Sequence, residues 1–254
     1  MVSFLKFIIG ILFLSCVGLG GEKLTPEAKD ALNKLNLPGI KLNLEEWSVD
    51  VFANVCLLEG VLELILCTDN SKEHESIFCT SARPLHIHTA LLLMGSKPGN
   101  PAMKRVQKKK DVRWVSVDPA GDKIIVSVVF SDEDGMIREY PISDFVSPVA
   151  PQLEAVAVKE KKQFPDNFIF AGSHLIDGAK GSKKYLCEDT GNVISVSTFG
   201  DELLCLSELS GHENDKLIWK VNSKLLPDLG EEVIIRLKSK VVRSVKNKRS
   251  INKK

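Results

Sequence analysis

The amino-acid sequence predicts an α+β fold: a mostly antiparallel β domain with one buried helix and a short N-terminal helix. Three observations carry this expectation. Short runs with a period of two recur from Trp47 to Leu237. Turn-forming residues separate them, at Glu59-Gly60, Gly121-Asp122, Asp189-Thr190-Gly191 and Pro227-Asp228-Leu229-Gly230. One stretch breaks the pattern, Pro84 to Met94, whose apolar residues surround a helical axis. With 254 residues, 44% of them apolar and 26% charged, the chain can bury a sizeable core and is not disordered as a whole.

Residues 1–20 read as an export signal. Lys6 supplies positive charge, Phe7 to Leu14 an apolar run, and Gly18-Leu19-Gly20 a small-x-small cleavage pattern. The run is shorter than the roughly 20 residues that span a bilayer. Leu14-Ser15-Cys16 also resembles the end of a bacterial lipoprotein box, with Phe13 standing where leucine is usual. The expectation is therefore a periplasmic or cell-envelope protein, with lipid attachment at Cys16 as the second option. Residues 21–46 hold a short helix and its lead-in. Thr25-Pro26-Glu27 combines a capping hydroxyl, a first-turn proline and an acid near the positive helix end, and Pro38-Gly39 ends the segment.

The body is expected over 47–237. Trp47, Val49 and Val51 alternate with polar residues, as a half-buried strand requires. Val55 to Leu58 and Val61 to Cys67 flank Glu59-Gly60, which predicts a tight reversal between two strands. The second of these is apolar on both faces except for Glu63 and is expected to be central. A polar connection from Thr68 to Glu75 leads to a strand at Ser76 to Cys79. The helix from Pro84 to Met94 is closed by Gly95 and Pro98. His86 and His88 lie about 200° apart around its axis, so they cannot share one face as a metal pair.

Lys97 to Arg113, with seven basic residues, reads as an exposed connection; it lacks the interleaved aromatics of a nucleic-acid surface, and no nucleic-acid partner is expected. Trp114 to Val117, Lys123 to Phe130 and Met136 to Pro141 are predicted strands, the last two joined as a hairpin through Asp132 to Gly135. That acidic turn lacks the other ligands of a calcium loop. Pro148 to Gln163 is the candidate linker. Strands follow at Asn167–Ala171, Lys184–Cys187, Asn192–Ser197, Leu203–Leu206, Lys216–Val221 and Glu231–Leu237. Residues 238–254 carry eight Lys/Arg and no acid, which leaves −7 on residues 1–237 of a chain whose total is +1. This basic tail is expected to be disordered, and either contacts an anionic surface or is merely solvated.

Several of these stretches together resemble a known family. Val55-Cys56-Leu57, Glu59-Gly60, Leu62-Glu63-Leu64 and Lys72-Glu73-His74-Glu75-Ser76 look like the YdjY-type domain of exported bacterial proteins. The likeness continues through His88-Thr89-Ala90-Leu91-Leu92-Leu93, Gly95-x-Lys97-Pro98-Gly99, Phe170-Ala171-Gly172-Ser173, Gly191-Asn192-Val193-Ile194-Ser195 and Thr198-Phe199-Gly200-Asp201. It covers about residues 38–238 and implies that both sides of the Pro148–Gln163 break belong to one domain. The family has no agreed function, so the resemblance implies a domain and no activity. An iron–sulfur role attached to some relatives' names does not carry over. The mature cysteines are spaced 11, 12, 108 and 18 apart, with no C-x-x-C-x-x-C run.

The segment Lys72, Glu73, His74, Glu75, Ser76 lies between Cys67 and Cys79, where a polar loop meets strand ends, and with His86 and His88 it forms the candidate site. In the sharper reading, His74, Glu75 and His88 hold zinc with one open position and the protein is a metal-assisted hydrolase. In the plainer reading, which the residues favour, Glu73 or Glu75 accepts the ring N–H of a buried helix histidine while Lys72 completes the network. The protein is then a noncatalytic module that binds a ligand or a protein partner, with no resident cofactor. Cys67 and Cys79 could pair as a disulfide in an exported protein. Cys56, Cys187 and Cys205 sit in apolar runs, where cysteine acts as a small hydrophobe. Ser173-His174 does not form a nucleophile elbow, and His212 is expected on a loop surface.

Overall fold

Alternation along the longest strands decides the architecture. The computed structural model describes residues 25–108, 112–132, 134–149, 163–178, 181–209, 211 and 217–240. The leader, most of the Pro148–Gln163 break, His212 and the tail beyond residue 240 lie outside them. Helix α1 spans Pro26–Asn33. Residues 33–241 make up the body.

In chain order the body contains β1 (Ile40–Asn43), β2 (Ser48–Val55), β3 (Leu64–Thr68), β4 (Ser76–Thr80) and helix α2 (Pro84–Leu93). Then come β5 (Pro98–Asn100), β6 (Met103–Lys108), β7 (Val112–Val117), β8 (Ala120–Gly121), β9 (Lys123–Ser131), β10 (Ile137–Pro141) and β11 (Val146–Pro148). The second half holds β12 (Asn167–Phe170), β13 (Leu175–Asp177), β14 (Lys183–Tyr185), the short helix α3 (Leu186–Thr190), β15 (Asn192–Ser195), β16 (Leu204–Cys205), β17 (Trp219–Val221) and β18 (Glu232–Ser239).

Eight of these strands pair in the order β2-β18-β9-β12-β16-β15-β3-β4, and β4 pairs back onto β2. The sheet is therefore a closed eight-stranded β-barrel, which corrects the α+β expectation. Closure removes the free edges that so long a sheet would otherwise expose. The interior is filled by ladders of in-register apolar residues. Val51 faces Ile235, which faces Val128; Val49 faces Leu237, which faces Val126. All six are buried. Phe168 opposes Ile124, and Phe170 opposes Leu204.

The helix is the second correction. α2 packs over β1 and β2 through Pro84, Ile87, Ala90 and Leu91, but Leu85 is 36% exposed and Leu92 46%. It packs one face into the barrel's apolar core and leaves the other exposed, so it is not a buried core helix. A ring of apolar residues around the axis reports composition alone, whereas the core takes only one face of this helix.

Glu59-Gly60 does not join neighbouring strands either. β4 lies between β2 and β3, antiparallel to the former and parallel to the latter. The β9–β10 hairpin forms as expected, with Ile137 opposite Ser131. Part of the basic connection from Lys97 is itself a hairpin, β6 with β7. Residues Leu186 and Cys187, expected in a strand, begin α3.

The seam that closes the barrel is short. β2 and β4 share two register pairs, Asn54 with Cys79 and Val55 with Phe78. β1 occupies the first half of the same β2 edge. Past Val55 the ladder ends, with Cys56 and Leu57 both donating their N–H to Ile77 O, and the end of β2 lies beside the loop that follows β3.

Candidate functional site

Three segments meet there: the end of β2 with Cys56, the loop after β3, and Cys79 of β4. They line an open cleft of about 560 Å³ with Asn54, Cys56, Asp69, Asn70, Glu73 and Cys79 among its walls. The loop is held by its own polar groups. Asp69 donates its backbone N–H to Thr80 O at 3.0 Å, tying the loop to β4. Asn70 takes a left-handed conformation (φ 58°) and donates its N–H to Glu73 Oε1 at 2.8 Å. Ser71 Oγ donates to Thr68 O at 2.5 Å. Gly191, at φ +76°, lets this turn pack closely: a Cβ there would sit 2.3 Å from Ser71 Oγ.

One donor atom each from Asp69, Glu73 and Cys79 lie within 4.8 Å of one another. Two carboxylates and a thiol thus converge at the seam. Burial, and after it the Asp69 charge, pushes the Cys79 thiol up to about 11. Cys56 contacts both Cys67 and Cys79, and also donates to Ser76 O at 3.2 Å. The neighbouring Cys67 thiol pushes the Cys56 thiol up, and Cys56 in turn brings Cys67 below its ordinary value. Cys67 and Cys79 are in-register partners across β3 and β4, and both are free thiols here. Cys187 and Cys205 are buried free thiols, as expected. Cys56 differs from that expectation, standing just past its strand and half-exposed on the cleft.

The other sequence-derived candidates disperse. Lys72 Nζ lies 3.6 Å from Glu75 Oε1 and 3.6 Å above the Phe199 ring centroid. His74 is 78% exposed, with Nε2 3.7 Å from Glu75 Oε2. Ser76 is buried and donates to Phe78 O at 2.8 Å, a strand-start contact. His88 turns the other way. Tyr185 OH donates to Gly172 O at 3.0 Å, so its oxygen accepts from His88 Nδ1 at 2.9 Å. The His88 ring also packs edge-on against Phe170 and Tyr185, and burial lowers its pKa. His86 is half-buried with no hydrogen-bond partner at Nδ1; burial, then the nearby Arg83 charge, lowers its pKa. The imidazoles of α2 therefore find no mate in Glu73 or Glu75. Among the described residues, His74, Glu75 and His88 do not converge as a metal set.

Of the expected site residues, Glu73 lines the cleft, beside Cys79, which the sequence singled out as a possible disulfide partner of Cys67. Asp69, Asn70 and Cys56 were missed. The available signal was the 11- and 12-residue spacing of Cys56, Cys67 and Cys79 around a turn-forming Asp-Asn pair. A family model described as the YdjY domain matches residues 40–238 of the chain. No curated protein and no solved structure matches it.

Proposed function

The chain belongs to the YdjY domain family, and on that premise we propose that it is an exported, noncatalytic binding module whose site is the cleft at the barrel seam. The convergence of Asp69, Glu73 and Cys79 in an open cleft carries this reading. The Asp69 and Glu73 carboxylates of the loop repel one another beside the neutral Cys79 thiol, and a cationic or hydrogen-bond-donating ligand that bridges them relieves that repulsion. No histidine is among the residues lining the cleft, so no imidazole stands ready there to take a proton from the Cys79 thiol. Recognition is therefore what the arrangement does best. The leader at residues 1–20 supports export, and an intact mass starting after Gly20, or a lipidated Cys16, would mark processing.

The test is a backbone-amide NMR titration with a fixed probe panel: zinc, magnesium, inorganic phosphate, acetate and a cationic tripeptide. The expected result is a saturable shift of Asn54, Asn70 and Gly230 amides by at least one probe. A panel that leaves all three unmoved refutes the reading.

A further inference from the structure

The cleft's donor set narrows what it takes, and the narrowing rests on the binding reading above. Hard cations such as magnesium and calcium require oxygen ligands throughout, whereas copper(I) selects sulfur. One thiol with two carboxylates suits a borderline ion that takes both kinds of donor. Tetrahedral zinc places neighbouring ligand atoms roughly 3.4–3.8 Å apart. The three donors, already within 4.8 Å of one another, need to close by about an ångström.

The frame is made to hold them. Cys79 is fixed from both sides by its pairings with Asn54 and Cys67. The Asp69 N–H is tied to Thr80 O on the same strand, and Glu73 Oε1 is held by the Asn70 N–H, leaving Oε2 for a ligand. The cleft they line, with Asn54 and Cys56 also on its walls, has room for a fourth donor.

We propose that the barrel seam is a zinc site, with Cys79 Sγ and one oxygen each of Asp69 and Glu73 as ligands and a fourth position open to water or to a small donor group. On binding, the Sγ–Zn bond forms as the Cys79 S–H bond breaks, and the proton passes to solvent. No redox change accompanies the step. The set is distinct from the His74–Glu75–His88 trio, which the fold leaves apart.

The experiment uses the chain purified without a histidine tag under reducing conditions. Calorimetry in two buffers of different ionisation enthalpy should give one zinc per chain with net proton release. Cobalt(II) in place of zinc should produce a near-ultraviolet thiolate-to-metal charge-transfer band. Cys79→Ser should abolish the band, and Asp69→Asn and Glu73→Gln should each weaken zinc binding at least tenfold. His74→Ala should leave it unchanged. If Cys79→Ser fails to fold, protection of Cys79 from iodoacetamide by zinc in the unmodified protein decides the matter. No zinc binding, a band that survives Cys79→Ser, or alkylation that zinc does not slow overturns the zinc assignment. The general binding reading survives that outcome only if another panel probe shifts the cleft amides.

Discussion

Replacing Arg236 with methionine tests how the barrel wall is held on its outer face. Arg236 sits on β18 between β2 and β9, opposite Asp50 and Ser127. Its Nε and Nη2 both donate to Asp50 at 2.8 Å, and its Nη1 donates to Glu139 at 2.8 Å. The Asp50 side chain is 6% exposed and Arg236 13%. Without the guanidinium, Asp50 keeps, among the described residues, the side-chain hydrogen bond from Ser48 Oγ at 3.3 Å. Leaving a buried carboxylate unpaired costs about 3–5 kcal/mol. Glu139 is one-third exposed and retains Lys238, so its own loss adds little. The expected cost of Arg236→Met is about 2–4 kcal/mol, read as a lower urea midpoint at unchanged slope. Asp50→Leu combined with Arg236→Met should recover most of it, because no lone charge is then buried. A loss under about 1 kcal/mol for the single variant, or a double variant as weak as the two losses summed, refutes the reasoning. The pH dependence has a definite sign. Burial raises the Glu139 pKa, but hydrogen bonds from Ser127, Arg236 and Lys238 outweigh it and hold the carboxyl below its ordinary value. Its contribution is thus present above that ordinary value and lost as pH falls through the lower folded one. Arg236→Met should lessen that acid loss.

Glu202 is fully buried; its burial pushes the carboxyl pKa up against the N–H groups of Phe199 and Gly200. A raised acid contributes stability below its unfolded pKa and loses it as pH rises through the folded one, so Glu202→Gln should gain on the unmodified protein from pH 4 to pH 8 in parallel melts; a constant difference would refute this. Tyr185→Phe leaves His88 Nδ1 and Gly172 O without their shared hydroxyl and should cost about 1–3 kcal/mol in chemical denaturation, against no change if the hydroxyl were idle. Gly191→Ala drives a Cβ into Ser71 at a positive φ, so it should cost at least about 1 kcal/mol and weaken zinc binding through the Asp69–Glu73 turn. A variant with unchanged melting and affinity would separate that turn from the site.

Much of the wall was legible in the chain. Strands at Trp47–Val51, Ser76–Cys79, Lys123–Phe130 and Glu231–Leu237 announce themselves because alternation is local and follows from the pleat. The β9–β10 hairpin is equally local, since Asp132 to Gly135 carries its own turn chemistry. The candidate site was half legible: Glu73 and Cys79 stand out as polar and sulfur-bearing residues between apolar runs. Asp69 and Cys56 looked like a turn residue and a core filler. Their role depends on which strand lies beside which, and no periodicity encodes that.

Amino-acid order alone determined the inward and outward faces of the strands, the position of the helix, and the membership of one domain over residues 40–238. Tertiary structure decided that the sheet closes, that α2 lies on the barrel with Leu85 and Leu92 exposed, and that His88 answers to Tyr185 rather than to the acidic loop. The reason is range. A side chain's face follows from its immediate neighbours, whereas β2 finds one flank in β18, with Ile235 opposite Val51, and the other in β4, with Cys79 opposite Asn54. Only the closing of those distant pairs opens the seam where two carboxylates and a thiol meet.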